Sequence, residues 1–137
     1  MSEKIRVVII DDTRLFLEAA TEVLSRDPDI HILAVGETAT DAIRLTEIYH
    51  PDILLLDLKI PGGGLSSAWV ISSTFPATRI IALTSSEAED DILEAARTGI
   101  YAYVLKGVSG NDLIDKIHKV HAGDFPQLLS LKNQSKN

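Results

Sequence analysis

The feature that most constrains this chain is the apolar run from Ile53 to Leu56, which ends at the carboxylate of Asp57. A run of this length without polar alternation predicts a parallel strand that is buried on both faces of a sheet. An isolated carboxylate in an apolar setting takes up a proton rather than stay charged. Asp57 must therefore reach water, or other parts of the chain must bring it a cation or hydrogen-bond donors.

Strand-like and helix-like segments alternate along the whole chain. The apolar, β-branched runs predict strands at 5–10, 30–35, 53–57, 79–83 and 100–105. The helical periodicity and the turn residues predict helices at 13–26, 38–50, 65–74, 87–98 and 111–122. Strict alternation predicts right-handed crossovers, and hence an α/β fold of the (βα)5 type: a doubly wound, parallel, five-stranded sheet with helices on both faces.

The sequence also predicts the surroundings of several residues outside the strand ends. Phe16, Tyr49 and Trp69 are predicted to face the core from the first three helices. His118 and His121 lie on one amphipathic helix without a third ligand in the sequence nearby, so they are predicted to face solvent. The run Gly62-Gly63-Gly64 is predicted to be a flexible loop rather than a phosphate-binding one, because no P-loop lysine follows it.

Composition narrows the class of protein. The 137 residues suit one domain, predicted at 1–123, with 124–137 as a C-terminal tail or the start of a linker. The absence of cysteine excludes disulfides and thiolate metal sites. No apolar run approaches the roughly 20 residues that span a bilayer, and the N-terminus lacks a signal-peptide pattern, so a cytoplasmic protein is predicted. The net charge of −7 argues against a domain that grips nucleic acid by itself.

Four predicted strands end in functional groups. They end in Asp11 and Asp12, in Asp57, in Thr84 and in Lys106. The carboxyl ends of parallel strands share one edge of an open sheet, where ligand sites form, so these groups are expected to lie together. Clustered carboxylates stay ionised together around a cation, and all-oxygen ligands favour Mg²⁺ or Mn²⁺.

A lysine and a hydroxyl beside such a metal form a site for phosphoryl oxygens. The metal, the ammonium of Lys106 and the hydroxyl of Thr84 would each take one oxygen. The sequence contains no GxxxxGK[ST] loop to hold a nucleotide. The simplest carrier of the phosphoryl group is therefore Asp57 itself, as the nucleophile that forms an aspartyl-phosphate.

Four motifs in order resemble the receiver domain of two-component response regulators, over about residues 4 to 123. They are VVIIDD at 7–12, LLLDLKIPG at 54–62, IALTS at 81–85 and YAYVLKG at 101–107. The resemblance implies a flavodoxin-like sheet of strand order 2-1-3-4-5. The segment 99–123 looks most like the subfamily that carries a LuxR-type helix-turn-helix, although the residues after Gly123 are too few for such an output module.

The resemblance also implies a role for each matched residue. Asp57 would accept a phosphoryl group from a sensor histidine kinase. Mg²⁺ would be held by Asp57, by Asp11 and Asp12, one of these two through water, and by the backbone carbonyl of Lys59. Thr84 would be the switch hydroxyl, Lys106 the phosphate-contacting lysine, and Tyr103 the switch aromatic.

The implied output is a change of surface, not turnover of a substrate. Self-phosphorylation and slow autodephosphorylation would be the only chemistry, a homodimer could form on phosphorylation, and DNA would be reached only through an output domain. Two departures from the family pattern stand out: Gly107 replaces a common proline, and the glycine loop is about one residue shorter. The side chain of Lys59 could lean over the phosphoryl group and slow attack by water.

Two other functions are compatible with the same residues. One is an enzyme with an aspartyl-phosphate intermediate, such as a haloacid-dehalogenase-type phosphatase, but that class resembles Asp-x-Asp-x-Thr after its first strand, whereas Leu58-Lys59 follows Asp57 here. The other is a binding module that keeps the receiver fold while its output ignores phosphate. Turnover of a phosphomonoester would support the enzyme. The binding module would be supported if beryllofluoride with Mg²⁺ changed neither the partner affinity nor the oligomeric state of the protein.

Overall fold

The computed structural model describes residues 4–85 and 89–123, with the side chains of 89–92 excepted. Five parallel strands form one sheet in the order β2-β1-β3-β4-β5, which confirms the predicted fold class and strand order. The elements are β1 Ile5–Ile10, α1 Arg14–Ser25, β2 Ile30–Gly36, α2 Ala39–Tyr49, β3 Ile53–Asp57, α3 Gly64–Thr74, β4 Arg79–Thr84, α4 Glu89–Arg97, β5 Ala102–Leu105 and α5 Gly110–Ala122.

Apart from the start of α4, the observed boundaries differ from the predicted ones by two residues or fewer at each end. The β5 strand begins at Ala102 rather than at residue 100, although the Tyr101 N–H still donates to Ile80 O at 2.8 Å. The predicted first residues of the fourth helix, 87 and 88, and the predicted tail or linker at 124–137 lie outside the described residues.

The sheet separates two apolar cores. Side chains that alternate along the central strands face α1 and α5 on one side and α2 and α3 on the other, as Leu55 and Leu54 do. All five residues of β3 are buried, which confirms that this strand lies inside the sheet. The strand that ends at Asp57 is therefore covered on both faces and flanked on both sides, by β1 and β4.

Two of the three aromatic side chains predicted to face the core do not. Trp69 is 60% exposed and Tyr49 is 36% exposed, while Phe16 is partly buried against the core on the α1 side. The buried residues of α3 are Gly64, Ser67, Ala68 and Ile71, which follow helical spacing. Three small residues and Ile71 thus form the inner stripe of α3, and this phase turns the indole of Trp69 outward.

The glycine run before α3 allows a close backbone approach. Gly62 and Gly63 have φ angles of 91° and 96°, a region that side-chain-bearing residues rarely occupy. A Cβ added to Gly64 would lie 2.4 Å from Leu58 Cα. These glycines thus bring the start of α3 against the segment that follows Asp57, while the flexibility of the loop stays a prediction.

Candidate functional site

Asp57 lies at the carboxyl end of the sheet and is only 3% exposed. Its Oδ1 accepts a hydrogen bond from the Lys59 N–H at 3.0 Å, and its Oδ2 accepts one from Lys106 Nζ at 3.2 Å. The lysine reaches it from the segment after β5, where the Lys106 N–H donates to Thr84 O at 2.9 Å and so continues the pairing with β4. Neither oxygen of Asp57 is left without a donor.

Asp11 follows β1 and is completely buried. Its N–H donates to Gly36 O at 3.0 Å, and its Oδ1 accepts a hydrogen bond from the Thr13 N–H at 2.8 Å. Its Oδ2 lies 2.7 Å from Lys106 Nζ, but this ion pair lacks hydrogen-bond geometry, and Oδ2 accepts no hydrogen bond from the described residues. A buried carboxylate oxygen thus faces the site with a charge beside it and no directed donor.

Lys106 lies between the two buried carboxylates. Burial of its ammonium lowers the pKa, but the two neighbouring carboxylates, Asp11 and Asp57, outweigh burial and raise it above its usual value. On a further side, the ammonium nitrogen lies 5.0 Å from the centre of the Phe16 ring. The lysine therefore stays charged and is surrounded by two acids and an aromatic face.

The pKa of Asp57 is raised above its usual value. The main cause is burial, which disfavours the charged carboxylate, and the nearby charge of Asp11 acts in the same direction. The Lys59 N–H and the ammonium of Lys106 lower it without cancelling the effect of burial. Burial at the end of an apolar strand thus destabilises the charged form of the Asp57 carboxylate, as the sequence indicates.

Three carboxylates converge at this end of the sheet. Asp11, Asp12 and Asp57 each offer an oxygen, and these oxygens lie within 4.8 Å of one another. The three carboxylates exceed the charge of the one lysine that contacts them by two, which a divalent cation would balance. The donor set is oxygen alone, and the buried Oδ2 of Asp11 lacks a donor, so the residues fit Mg²⁺ or Mn²⁺.

Thr84 and Tyr103 lie on the β4 and β5 side of the site. Thr84 ends β4, is half-buried and pairs in register with Leu105, the residue before the lysine. Tyr103 lies on the edge strand β5, pairs with Ala82 and packs half-buried against the core on the α2 side. Their switch roles, and the metal-binding role of the Lys59 carbonyl, stay predictions.

Sequence reasoning missed two contacts. His118 does not simply face solvent, because its Nε2 lies 2.9 Å from Asp27 Oδ2, and this contact joins α5 to the turn after α1. Asp29 lies close to the same pair. Phe16 was expected only as a core residue, and nothing in the local pattern indicates that it lies beside Lys106. His121 is exposed as predicted.

A parallel doubly wound sheet with three carboxylates and a lysine at its carboxyl edge defines a receiver-type signalling domain as the class of protein. The family pattern described as "Response regulator receiver domain" matches residues 7–118. The chain therefore belongs to the response regulator receiver family of two-component systems.

The relatives indicate the branch of this family. The chain is 31% identical over 121 residues to the transcriptional regulatory protein DegU of Brevibacillus brevis, covering 88% of this chain and 51% of DegU. It is 36% identical over 128 residues to a Ycf55-like protein of Synechocystis, covering 90% of this chain and 23% of that protein. The chain thus spans about half the length of DegU and less of the second relative.

Solved structures agree with these relatives. The signal receiver domain of a NarL response regulator from Mycobacterium tuberculosis superposes with a TM-score of 0.86 at 25% identity, covering 89% of this chain and 99% of that one. A LuxR-family response regulator from Aurantimonas superposes with a TM-score of 0.83 at 29% identity, covering 88% and 87%. The chain is therefore similar to receivers of LuxR-type transcription regulators. Within residues 4–85 and 89–123, no helix has the length and apolarity to cross a membrane.

Proposed function

We propose that this chain receives a phosphoryl group on Asp57 from the phosphohistidine of a sensor kinase, with Mg²⁺, and passes the signal on as a change of surface. The observation that carries this proposal is the contact of one buried carboxylate, Asp57, with the ammonium of Lys106 beside two further carboxylates. A structural ion pair alone would need neither the acidic cluster nor the raised pKa of Asp57.

The residues of the chain perform most of the transfer by positioning. The Lys59 N–H holds Oδ1 of Asp57, so the carboxylate has a fixed orientation when an oxygen attacks phosphorus. A P–O bond to Asp57 forms as the P–N bond to the kinase imidazole breaks, and the nitrogen retains the electron pair. The ammonium of Lys106 would then neutralise charge on a phosphoryl oxygen, and the Thr84 hydroxyl would donate to another.

Asp11 and Asp12, together with Asp57 and the Lys59 carbonyl, would hold the metal. The ion supplies positive charge to the phosphoryl oxygens and lets the carboxylates remain ionised close together. Asp11 is held in place for this role by its Oδ1, which accepts the Thr13 N–H, while its Oδ2 faces the cluster. Any bond from Oδ2 to a cation would replace the donor that it lacks in the protein.

The signal would leave the site through Thr84 and Tyr103. Once the Thr84 hydroxyl turns toward a phosphoryl oxygen, the ring of Tyr103 would move inward and shift α4 and β5 together. Receivers similar to this chain include those of transcription regulators. The expected readers are therefore a second copy of the chain or an output domain that binds DNA, in a cytoplasmic protein with residues 1–123 as the receiver.

The experiment that tests this function is intact-mass measurement after incubation with acetyl phosphate and Mg²⁺. Wild type and Asp115→Ala, which removes an exposed aspartate from α5, should each gain one phosphate. Asp57→Ala should gain none. A phosphate that survives the Asp57→Ala substitution would overturn the assignment of the acceptor.

A further inference from the structure

The ring of Phe16 borders the ammonium of Lys106. The distance from Nζ to the ring centre is 5.0 Å, within the range of a cation–π interaction. Two other sides of the same nitrogen face Asp11 Oδ2 at 2.7 Å and Asp57 Oδ2 at 3.2 Å. The lysine side chain is 23% exposed, so only a small part of it remains in contact with water.

The position of Phe16 depends on the acidic cluster itself. Asp11 accepts the Thr13 N–H through Oδ1, and Thr13 O accepts the Leu17 N–H that opens α1. One carboxylate therefore fixes the turn that leads to Phe16 and also faces the ammonium near the ring. Leu15, the preceding residue, is 75% exposed, whereas Phe16 is partly buried against the core, so the helix directs the Phe16 ring inward.

The long side chain of Lys106 must be held in one conformation if its ammonium is to meet a phosphoryl oxygen on Asp57. A lysine has many rotamers, and holding its ammonium in one place costs conformational entropy. A ring beside the ammonium removes alternative positions on that side while it still favours the positive charge.

We propose that Phe16 is a positioning residue for Lys106: its ring holds the ammonium where a phosphoryl oxygen on Asp57 would meet it. This inference rests on the proposed function for its consequence, but the contact itself does not. In this role Phe16 acts through the lysine. Loss of the ring should leave the fold intact and make the ammonium mobile.

The test compares Phe16→Leu, which removes the aromatic face but keeps an apolar side chain, with Phe16→Tyr, which keeps the face. The control is Val23→Ala, which trims another partly buried residue of α1 that lines one cavity together with Phe16 and Lys106. The first readout is ¹³C relaxation at the ε-methylene of Lys106 in the unphosphorylated protein. The second is the rate of phosphorylation by acetyl phosphate at saturating Mg²⁺.

Phe16→Leu should lower the order parameter of the lysine methylene and slow phosphorylation about threefold to tenfold, the loss expected for one cation–π contact. Phe16→Tyr should restore both values, and Val23→Ala should change neither. If the methylene is as ordered in Phe16→Leu as in wild type, the positioning role is wrong. If wild type gains no phosphate while the methylene still responds to Phe16→Leu, the proposed function fails and the positioning contact stands.

Discussion

Lys106 Nζ lies 3.2 Å from Asp57 Oδ2, although 49 positions separate the two residues in the sequence. The contact crosses β4, because the lysine follows β5, the acid ends β3, and β4 lies between these two strands. It offsets only part of the cost of burying Asp57, whose pKa remains raised. We therefore expect the ionised carboxylate of Asp57 to lower the free energy of unfolding.

The Asp57→Asn substitution should stabilise the protein at neutral pH without Mg²⁺. The folded pKa of Asp57 is raised above its ordinary value of 3.8, mainly by burial, so ionisation above that pH favours the unfolded chain. Asparagine removes this charge and keeps an oxygen that can accept the Lys59 N–H. Urea denaturation at pH 7 should give a larger free energy of unfolding for the variant, on the order of 1 kcal/mol.

The pH dependence of the stability difference between Asp57→Asn and wild type tests whether charge is its cause. Well below 3.8 the acid is protonated in both folded and unfolded wild type, so the difference between variant and wild type should shrink as pH falls past 3.8 and vanish in stronger acid. The difference should grow as pH rises through the folded pKa and then stay constant. A gain that is equal at pH 3.5 and pH 7 would mean that packing, rather than charge, is responsible.

How much of this site the sequence predicts depends on where each residue lies along its strand. Asp11, Asp57 and Lys106 could be grouped in advance, because each follows an apolar strand and parallel strands share one carboxyl edge. Sheet topology alone brings such residues together. Asp11, Asp57 and Lys106 therefore all lie in a part of the fold that the strand pattern predicts.

Helix faces are harder to predict than strand ends. Ala68, Trp69, Val70 and Ile71 are consecutive apolar residues, so the periodicity of α3 does not decide which of them faces the core. Only packing against the sheet selects Ala68 and Ile71. The contact between His118 and Asp27 is similarly hidden, because its partners are 91 positions apart and neither ends a strand.

Replacing Trp69 by alanine should cost little stability. Its indole is 60% exposed, so truncation removes little buried surface, and a loss below about 1 kcal/mol is expected. Ile71→Ala on the same helix is the matched comparison, because Ile71 is completely buried and should cost about 2–5 kcal/mol. Denaturant midpoints of the two variants measure the contrast, and equal losses would contradict the observed phase of α3.

Breaking the contact of His118 with Asp27 should weaken the attachment of α5 to the turn after α1. The hydrogen bond from His118 is the main cause of the lowered pKa of Asp27. His118→Gln should cost about 0.5–1 kcal/mol at pH 6, since the pair is partly exposed. His121→Gln, which changes an exposed histidine on the same helix, should have no measurable effect.

Acid should remove part of this stabilisation. A carboxylate with a lowered folded pKa contributes stability that is complete above its unfolded value of 3.8 and is lost as pH falls through the folded pKa. The deficit of Asp27→Asn relative to wild type should therefore shrink below pH 3.8. Thermal unfolding at pH 6 and pH 3 measures it, and a deficit that grows in acid would contradict the pair.

Lys59→Ala should shorten the lifetime of the phosphorylated protein. The Lys59 N–H donates to Asp57, and the exposed side chain of Lys59 starts two residues after this proposed acceptor, where it would cover a phosphoryl group from water. The backbone hydrogen bond is unaffected by alanine, so only the shielding is removed. Loss of phosphate followed by intact mass should be faster in Lys59→Ala and unchanged in Lys4→Ala, an exposed lysine just before β1. An unchanged or longer lifetime in Lys59→Ala would remove the hypothesis.

Gly64→Ala should destabilise the protein and disturb the acceptor. The added Cβ would lie 2.4 Å from Leu58 Cα and 2.5 Å from Leu58 O, both backbone atoms that cannot rotate away. The start of α3 or the segment after Asp57 must then move, at a cost of about 1–3 kcal/mol. Because Leu58 lies between Asp57 and Lys59, the hydrogen bond from the Lys59 N–H to Asp57 should weaken. If Asp57 is the acceptor, as proposed, phosphorylation by acetyl phosphate should then slow.

Gly107→Ala is the matched glycine substitution on the other side of the site. Gly107 does not have a positive φ, and an added Cβ there meets no described atom within 4 Å. Alanine should therefore be neutral, or stabilising by about 0.4–1 kcal/mol through the unfolded chain. Urea denaturation of both variants measures the difference. Since only Gly64 is in contact with the backbone next to Asp57, equal stability of the two variants would contradict the close approach of α3 to the acceptor strand.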